Sequence, residues 1–121
     1  MSKWYGITVT NGHVTQIKLS NNQLVGKLPT ELCQLSQLQQ LDLGRYTLGN
    51  QLIGEIPTCL GELSELQLLT LASNEFSGEI PPQLGQLSQL ITLDLRDNPL
   101  EGTLPKTLCE LTHFRESVPW C

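Results

Sequence analysis

A pattern of about 24 residues recurs four times along the chain and constrains its fold more than any other feature. The copies span residues 14–37, 38–65, 66–89 and 90–113, so three have 24 residues and the second has 28. They share the pattern LxxLxLxxNxLxGxIPxxLGxLxx. A copy this short buries little apolar surface alone, so the fold must gain its stability by stacking the copies into a solenoid.

The leucines of each copy predict two kinds of local structure. An L-x-L pair alternates with period two, which is typical of a strand with one face on a core. The pairs are Ile17/Leu19, Leu41/Leu43, Leu69/Leu71 and Leu93/Leu95. An L-x-x-L pair follows, and its three-residue spacing favours a helical turn on the same core. These pairs are Leu32/Leu35, Leu60/Leu63, Leu84/Leu87 and Leu108/Leu111.

Polar and special residues recur with the same period. Inward amides after each strand can satisfy backbone groups of neighbouring coils, and we assign this structural role to Asn22, Asn50, Asn74 and Asn98. Glycines allow a turn that a Cβ would hinder, at Gly26, Gly54, Gly78 and Gly102. Prolines suit the first position of the helical turn, at Pro29, Pro57, Pro81 and Pro105.

The segments LVGKLP, LIGEIP, FSGEIP and LEGTLP give the chain a specific resemblance. It resembles the leucine-rich-repeat family, plant-type subclass, over roughly residues 14 to 113. The resemblance implies an α/β repeat solenoid: a right-handed coil with a parallel concave sheet and short helical or 3-10 segments on the convex side. It also implies a second small sheet near these segments and a concave face that binds partners.

The two ends of the solenoid need caps that cover the core. Residues 1–13 predict a hairpin with an Asn11-Gly12 turn. Its W-Y-G-I-T opening is similar to the cap of plant receptor solenoids, but Val9 stands where that family has a cysteine, so the capping disulfide cannot form. Residues 114–121 predict a C-terminal cap built on Phe114, Val118 and Trp120.

Four cysteines leave several pairings to compare. At a strand spacing of about 4.8 Å, Cys109 lies too far from both Cys33 and Cys59, because a disulfide needs Cα atoms within about 7 Å. The Cys33–Cys59 distance is borderline, and a Cys109–Cys121 bond would staple the C-terminal cap. We expect Cys33, Cys59 and Cys109 to be small buried hydrophobes instead.

Composition, charge and short motifs limit the possible partners and cellular location of the protein. The net charge is −5 and no cluster of Lys or Arg is visible, which disfavours nucleic acids and acidic membrane surfaces as partners. No apolar run is long enough for a transmembrane helix. The first residues lack a secretory signal, and the chain has no N-x-S/T sequon. The missing signal, the missing sequons and the missing capping disulfide predict a cytoplasmic protein, whereas the plant-type resemblance favours the extracellular space or cell surface as the alternative.

Sequence motifs for catalysis, metals and cofactors are missing. His13 and His113 fall in opposite caps, no C-x-x-C or H-E-x-x-H occurs, and the glycines follow the structural period. We therefore predict no enzyme, no metal and no cofactor. Asp42 and Asp94 are about 10 Å apart by strand spacing, which suits a hydrolase pair on distance alone. We prefer to interpret both as part of a solvated face.

Side chains between and beside the strand leucines point to the concave face and are free to meet a partner. Gln16, Ser20, Gly44 and Ala72 lie at such positions. We predict contacts to a protein partner from a larger set, namely Lys18, Gln40, Asp42, Leu68, Thr70, Thr92, Asp94 and Arg96. Leu68 is the one large apolar member, so it is either an anchor or a lone exposed leucine.

The second copy carries four extra residues, Tyr46-Thr47-Leu48-Gly49, just after its strand. Tyr and Arg are favoured at binding hot spots, so Arg45, Tyr46 and Leu48 predict a partner-contact loop. The competing interpretation is loop drift in which Leu48 folds back on the core. We predict a monomeric protein-interaction module. The alternatives are an extracellular recognition or inhibitor domain, a fragment of a larger repeat protein, and a hydrolase.

Overall fold

Each of the four copies forms one coil in the computed structural model, which describes residues 5–109 and 115–116. A coil contains a strand of a large sheet, a strand of a small sheet and a short helical segment. The strands of the large sheet are β1 (Ile7–Thr10), β2 (His13–Lys18), β4 (Gln40–Gly44), β6 (Leu68–Leu71), β8 (Thr92–Asp94) and β10 (Arg115–Glu116). Those of the small sheet are β3 (Val25–Lys27), β5 (Gln51–Glu55), β7 (Glu75–Glu79) and β9 (Leu100–Glu101).

The large sheet has the order β1-β2-β4-β6-β8-β10, and the small sheet has the order β3-β5-β7-β9. All neighbours are parallel except β1 and β2, which form the predicted hairpin. Asn11 and Gly12 lie between them at φ 52° and 80°, as a type I′ turn requires. The predicted repeat solenoid and its second sheet are therefore confirmed.

Short helical segments close the coils on the side away from the strands. Three are 3-10 helices, η1 (Thr30–Gln34), η2 (Thr58–Glu62) and η3 (Pro82–Gln86), and the fourth is α1 (Lys106–Cys109). In the three 3-10 helices the repeat proline is the residue before the helix, with ψ between 125° and 141°. The prediction that this proline is the first helical residue was wrong by one position, because its extended ψ still belongs to the preceding turn.

The leucines that define the repeat line one continuous core. Leu41, Leu69, Leu71 and Leu95 are fully buried, whereas Leu19 in the first coil is only partly buried. Leu24, Leu28, Leu32 and Leu35 of the same coil are also partly buried. Among the described residues, coil 1 is flanked by the single strand β1, and an open apolar cavity of about 270 Å³ lies there beside Ile7 and Leu19.

A ladder of asparagines joins the coils. The Oδ1 of Asn74 accepts bonds from the backbone N–H groups of Asn50 and Leu52, and its Nδ2 donates to the carbonyls of Leu43, Leu71 and Ala72. Asn50 bonds the coil before it in the same way, and Asn98 accepts from Phe76. The structural role predicted for these three asparagines is confirmed.

Asn22 is the exception to this ladder. It is exposed, and its side chain donates only to the carbonyl of Ser20 in its own coil. The inward role predicted for Asn22 was wrong, because each of the other asparagines bonds the backbone of the preceding coil, whereas coil 1 is preceded by the hairpin strand β1.

Cys33 and Cys59 form a disulfide between η1 and η2, with their Cα atoms 5.8 Å apart. The prediction that both are buried hydrophobes was wrong. Strand spacing was a poor guide because the two residues hold different positions in the repeat. Cys33 corresponds to Gly61, and a Cβ on Gly61 would clash with the carbonyl of Gln83, the second residue after Pro81. Cys59 is likewise the second residue after Pro57, so the stacked turns bring these two positions together.

Candidate functional site

The strand register assembles the predicted concave residues into two rows. One row contains Gln16, Gln40, Leu68 and Thr92, and the next contains Lys18, Asp42, Thr70 and Asp94. All four members of the first row are partly exposed, including Leu68. The alternation of the strands buries the leucines on the opposite face and places both rows on the concave face of the sheet.

The second row is far less solvated than the sequence predicted. Lys18 is exposed, but Asp42, Thr70 and Asp94 retain only 6%, 2% and 6% of their accessible surface. Interpreting the two aspartates as part of a solvated face was therefore wrong. Neighbouring side chains cover them, and each carboxylate has a partner from its own or an adjacent coil.

Asp42 and Asp94 are each held by an arginine that follows in the chain. Asp42 Oδ1 accepts a hydrogen bond of 2.8 Å from the Thr70 hydroxyl, and its Oδ2 lies 3.6 Å from Arg45 Nε. Arg96 contacts Asp94 with two parallel bonds of 2.9 Å, from Nε to Oδ1 and from Nη2 to Oδ2. This bidentate geometry fixes the Arg96 guanidinium on the sheet.

The charge of Asp94 depends on these contacts. Burial alone would raise the pKa of its carboxyl, but the side-chain and backbone hydrogen bonds of Arg96, with the charges of Arg96 and Arg45, lower that pKa below its usual value. A glycosidase acid needs a raised pKa to carry a proton near neutral pH. Asp94 has the opposite shift, which argues against the hydrolase alternative.

The insertion of the second copy forms a closed turn over the sheet. Backbone bonds join Arg45 and Leu48 in both directions, at 3.2 Å and 2.8 Å. Gly49 is already back in the coil, where its carbonyl accepts the N–H of Asn21. The inserted unit is therefore Arg45–Leu48, one residue earlier than the Tyr46–Gly49 segment that alignment of the copies indicated.

Side chains of this turn project away from the core. Tyr46 is 65% exposed and Leu48 is 50% exposed, so the interpretation in which Leu48 folds back on the core was wrong. The Tyr46 ring centre lies 5.8 Å from the guanidinium carbon of Arg96. The backbone carbonyl of Tyr46 accepts a hydrogen bond from the Ser73 hydroxyl. The turn thus starts in coil 2, bonds coil 3 and reaches coil 4.

These contacts bring six of the predicted site residues into one cluster. We call it the concave cluster, and it consists of Asp42, Arg45, Tyr46, Thr70, Asp94 and Arg96. Gln40, Leu68 and Thr92 lie beside it in the adjacent row, and Lys18 lies one coil away. The pairing within the cluster was not predicted, although the Asp-x-x-Arg and Asp-x-Arg spacings of the two pairs indicate it in the sequence.

The described residues, 5–109 with 115–116, contain no group of His, Cys, Asp and Glu that could hold a metal ion. They also contain no helix long and apolar enough to cross a membrane. His13 is exposed at the hairpin turn. Several predictions lie outside the described residues, namely those for His113, Phe114, Val118, Trp120 and Cys121. The Cys109 side chain is also not described, so the Cys109–Cys121 pairing stays a prediction.

The fold and the cluster define a class of protein, a repeat solenoid with a partly exposed charged surface on its concave sheet. A family model described as Leucine Rich Repeat matches residues 13–35, 65–87 and 89–111. These segments cover more than half of the chain and correspond to its first, third and fourth copies. The chain belongs to the leucine-rich-repeat family.

Relatives of the chain come from plants. A probable leucine-rich repeat receptor-like protein kinase of Arabidopsis thaliana is 54% identical over 43 residues, which is 35% of this chain and 4% of the kinase. The BIR2 ectodomain from Arabidopsis thaliana is 37% identical with a TM-score of 0.81, over 91% of this chain and 57% of the ectodomain. The plant peptide hormone receptor RGFR1, solved in complex with RGF2, is 36% identical with a TM-score of 0.78, over 93% of this chain and 17% of the receptor chain.

Proposed function

We propose that this protein is an extracellular recognition module that binds a protein or peptide on its concave sheet, with the Arg45–Leu48 turn as one wall of the site. The observation that carries the proposal is the exposure of Tyr46 and Leu48 at 65% and 50% beside the concave cluster. Large exposed side chains on a fixed turn are typical of binding surfaces, because little conformational entropy is lost when a partner docks.

The rigidity of the cluster supports this proposal. Arg96 is held by two bonds to Asp94 and lies under Tyr46, while Asp42 is bonded by Thr70. A surface whose side chains are already positioned binds with a smaller ordering cost than a flexible one. The peptide hormone receptor RGFR1, a relative with a similar fold, was solved with RGF2 bound. We infer that this solenoid holds a ligand in the same general manner.

The extracellular location is supported by two observations. The Cys33–Cys59 disulfide suits an oxidising compartment, since such bonds are rare in the cytosol. The structural neighbours include the ectodomain of BIR2, and a curated relative is a receptor-like kinase. Both observations favour the extracellular alternative over the cytoplasmic prediction, which took the missing capping disulfide as a sign of a reducing compartment.

A capture experiment with matched tyrosine variants tests the proposal. Immobilised wild-type solenoid, Tyr46→Ala and Tyr5→Ala are incubated with the same extracellular fluid of the source, and the retained proteins and peptides are quantified by mass spectrometry. Tyr5 is fully exposed at the far end of the stack, so its variant removes the same side chain away from the concave cluster. Melting temperatures of all three proteins are measured in parallel.

We expect Tyr46→Ala to lose at least one retained molecule that Tyr5→Ala keeps, with the three melting temperatures within about 2 °C of each other. If every retained molecule is kept by Tyr46→Ala, the proposed site is wrong. A lower melting temperature with unchanged retention would leave Tyr46 only a structural role.

A further inference from the structure

The concave cluster has unused hydrogen-bond donors but few accessible acceptors. Asp94 Oδ1 accepts the backbone N–H and Nε of Arg96, and Oδ2 accepts Nη2. Asp42 Oδ1 accepts from Thr70 and from the Gly44 N–H, while Oδ2 faces Arg45. Both carboxylates are also buried, so a partner has little access to their oxygens.

Donors, in contrast, remain available. A guanidinium carries five N–H groups, and the bonds that Arg96 makes among the described residues use only Nε and Nη2. Arg45 faces Asp42 through Nε at 3.6 Å, which leaves both of its terminal nitrogens. The side chains of Arg45 and Arg96 are 43% and 34% exposed, compared with 9% for each of their aspartates. A partner therefore meets donors and positive charge first.

On the rest of the described surface, exposed carboxylates outnumber the exposed lysines Lys18, Lys27 and Lys106. The exposed carboxylates of the described residues lie mainly on the small sheet and the helical segments, at Glu31, Glu55, Glu62, Glu65, Glu75, Glu79 and Glu101. Asp97, which follows Arg96, is an exposed acid beside the cluster. An acidic ligand is therefore repelled from most of the solenoid and attracted to the two arginines, which gives it one preferred face.

We propose that the partner presents an acidic, extended peptide segment whose carboxylates bind Arg45 and Arg96, with an apolar side chain against Tyr46 and Leu48. This inference rests on the proposed function and adds the chemistry of the ligand. The two arginines belong to coils 2 and 4, so their strands are about 10 Å apart. A peptide in the extended polyproline II conformation advances about 3.1 Å per residue and returns to the same face at every third residue, so acidic residues three positions apart match that separation and face the same side.

Peptide selection followed by binding measurements tests the inference. A display library of random eight-residue peptides is selected on the wild-type solenoid, and the strongest peptide is synthesised with a fluorophore. Its dissociation constant is measured by fluorescence anisotropy for the wild type and for Arg45→Gln, Arg96→Gln, Arg96→Lys and Tyr46→Ala. Lys27→Gln is the matched control, because it removes an exposed cation from the small sheet.

We expect selected peptides to be enriched in Asp or Glu three positions apart. Arg45→Gln and Arg96→Gln should each weaken the strongest peptide about tenfold or more, with no effect of Lys27→Gln. Arg96→Lys keeps the charge and should lose less than Arg96→Gln. Melting temperatures show whether each variant is folded, and only folded variants are compared.

Two different failures are distinguishable. If the selected peptides lack acidic residues, or bind both glutamine variants as tightly as wild type while Tyr46→Ala still weakens them, the acidic ligand is wrong and the concave site stands. If no selected peptide is sensitive to Tyr46→Ala or to either arginine variant, both the ligand and the proposed function are overturned.

Discussion

Asn74 is the position where a single truncation should cost the most hydrogen bonds. Its side chain satisfies two backbone N–H groups and three carbonyls, and the residue is 7% exposed. In Asn74→Ala the N–H groups of Asn50 and Leu52 lose their acceptor in a place that water reaches poorly. An unsatisfied buried polar group costs about 1–3 kcal/mol, so we expect a loss of about 3–5 kcal/mol in the free energy of unfolding. That is a large fraction of the 5–15 kcal/mol typical of a domain.

Asn22→Ala is the matched control for this substitution. It removes the same amide from the equivalent position of coil 1, where the Asn22 side chain is exposed and donates only to Ser20 of its own coil. We expect it to change the free energy of unfolding by less than about 0.5 kcal/mol. Urea unfolding followed by far-ultraviolet circular dichroism measures both variants, with the m values compared to detect loss of cooperativity. Equal destabilisation by the two substitutions would refute the ladder argument.

Two further predictions concern the disulfide and the acid stability. The Cys33–Cys59 bond has a sequence separation of 26. The double substitution Cys33→Ser with Cys59→Ser should lower the free energy of unfolding by about 3–4 kcal/mol, because the unfolded chain regains conformational entropy. An unchanged urea midpoint would show that the bond does not contribute to stability. The pKa of Asp94 is lowered from 3.8 in the folded state, so its contribution is present above about pH 4 and is lost as the pH falls through the folded pKa. Asp94→Asn should therefore show a smaller fall in urea midpoint between about pH 5 and pH 2 than the wild type, and parallel falls would contradict this assignment.

The fold was predictable because the same sequence pattern occurs four times in the chain. Positions such as Leu71, Asn74 and Gly78 each have equivalents in other coils, so one structural solution explains many residues at once. Gly78 and its equivalents all have φ between 82° and 92°, as the turn prediction required. Two of the errors concern residues that the repeat does not describe. Asn22 lies in the first coil, which is preceded by the hairpin strand β1 and not by another coil, and Cys33 pairs with a residue at a different repeat position.

The sequence predicted which residues share the candidate site, but not how deeply they are buried or which side chains they contact. Strand alternation predicted that Asp42, Thr70 and Asp94 share the concave face. It could not predict that all three are nearly buried, because the contacts of Thr70 with Asp42 and of the two arginines with the aspartates are not part of the strand pattern. The contact between Tyr46 and Arg96 joins coils 2 and 4 and depends on the path of an insertion that occurs once, for which the repeat offers no template.

Removal of the insertion separates its structural contribution from its role in binding. The Arg45–Leu48 turn closes on itself through two backbone bonds, and its ends continue into Gly44 and Gly49. A variant that lacks these four residues restores the 24-residue length of the other copies and keeps the asparagine ladder. Asp42 retains its bonds from Thr70 and Gly44, so we expect the melting temperature to fall by only about 2–6 °C. Binding of the selected peptide should be lost, since Arg45, Tyr46 and Leu48 are absent. A variant that binds as tightly as wild type would show that the turn is only a tolerated insertion, and one that unfolds would show that the turn is part of the core structure.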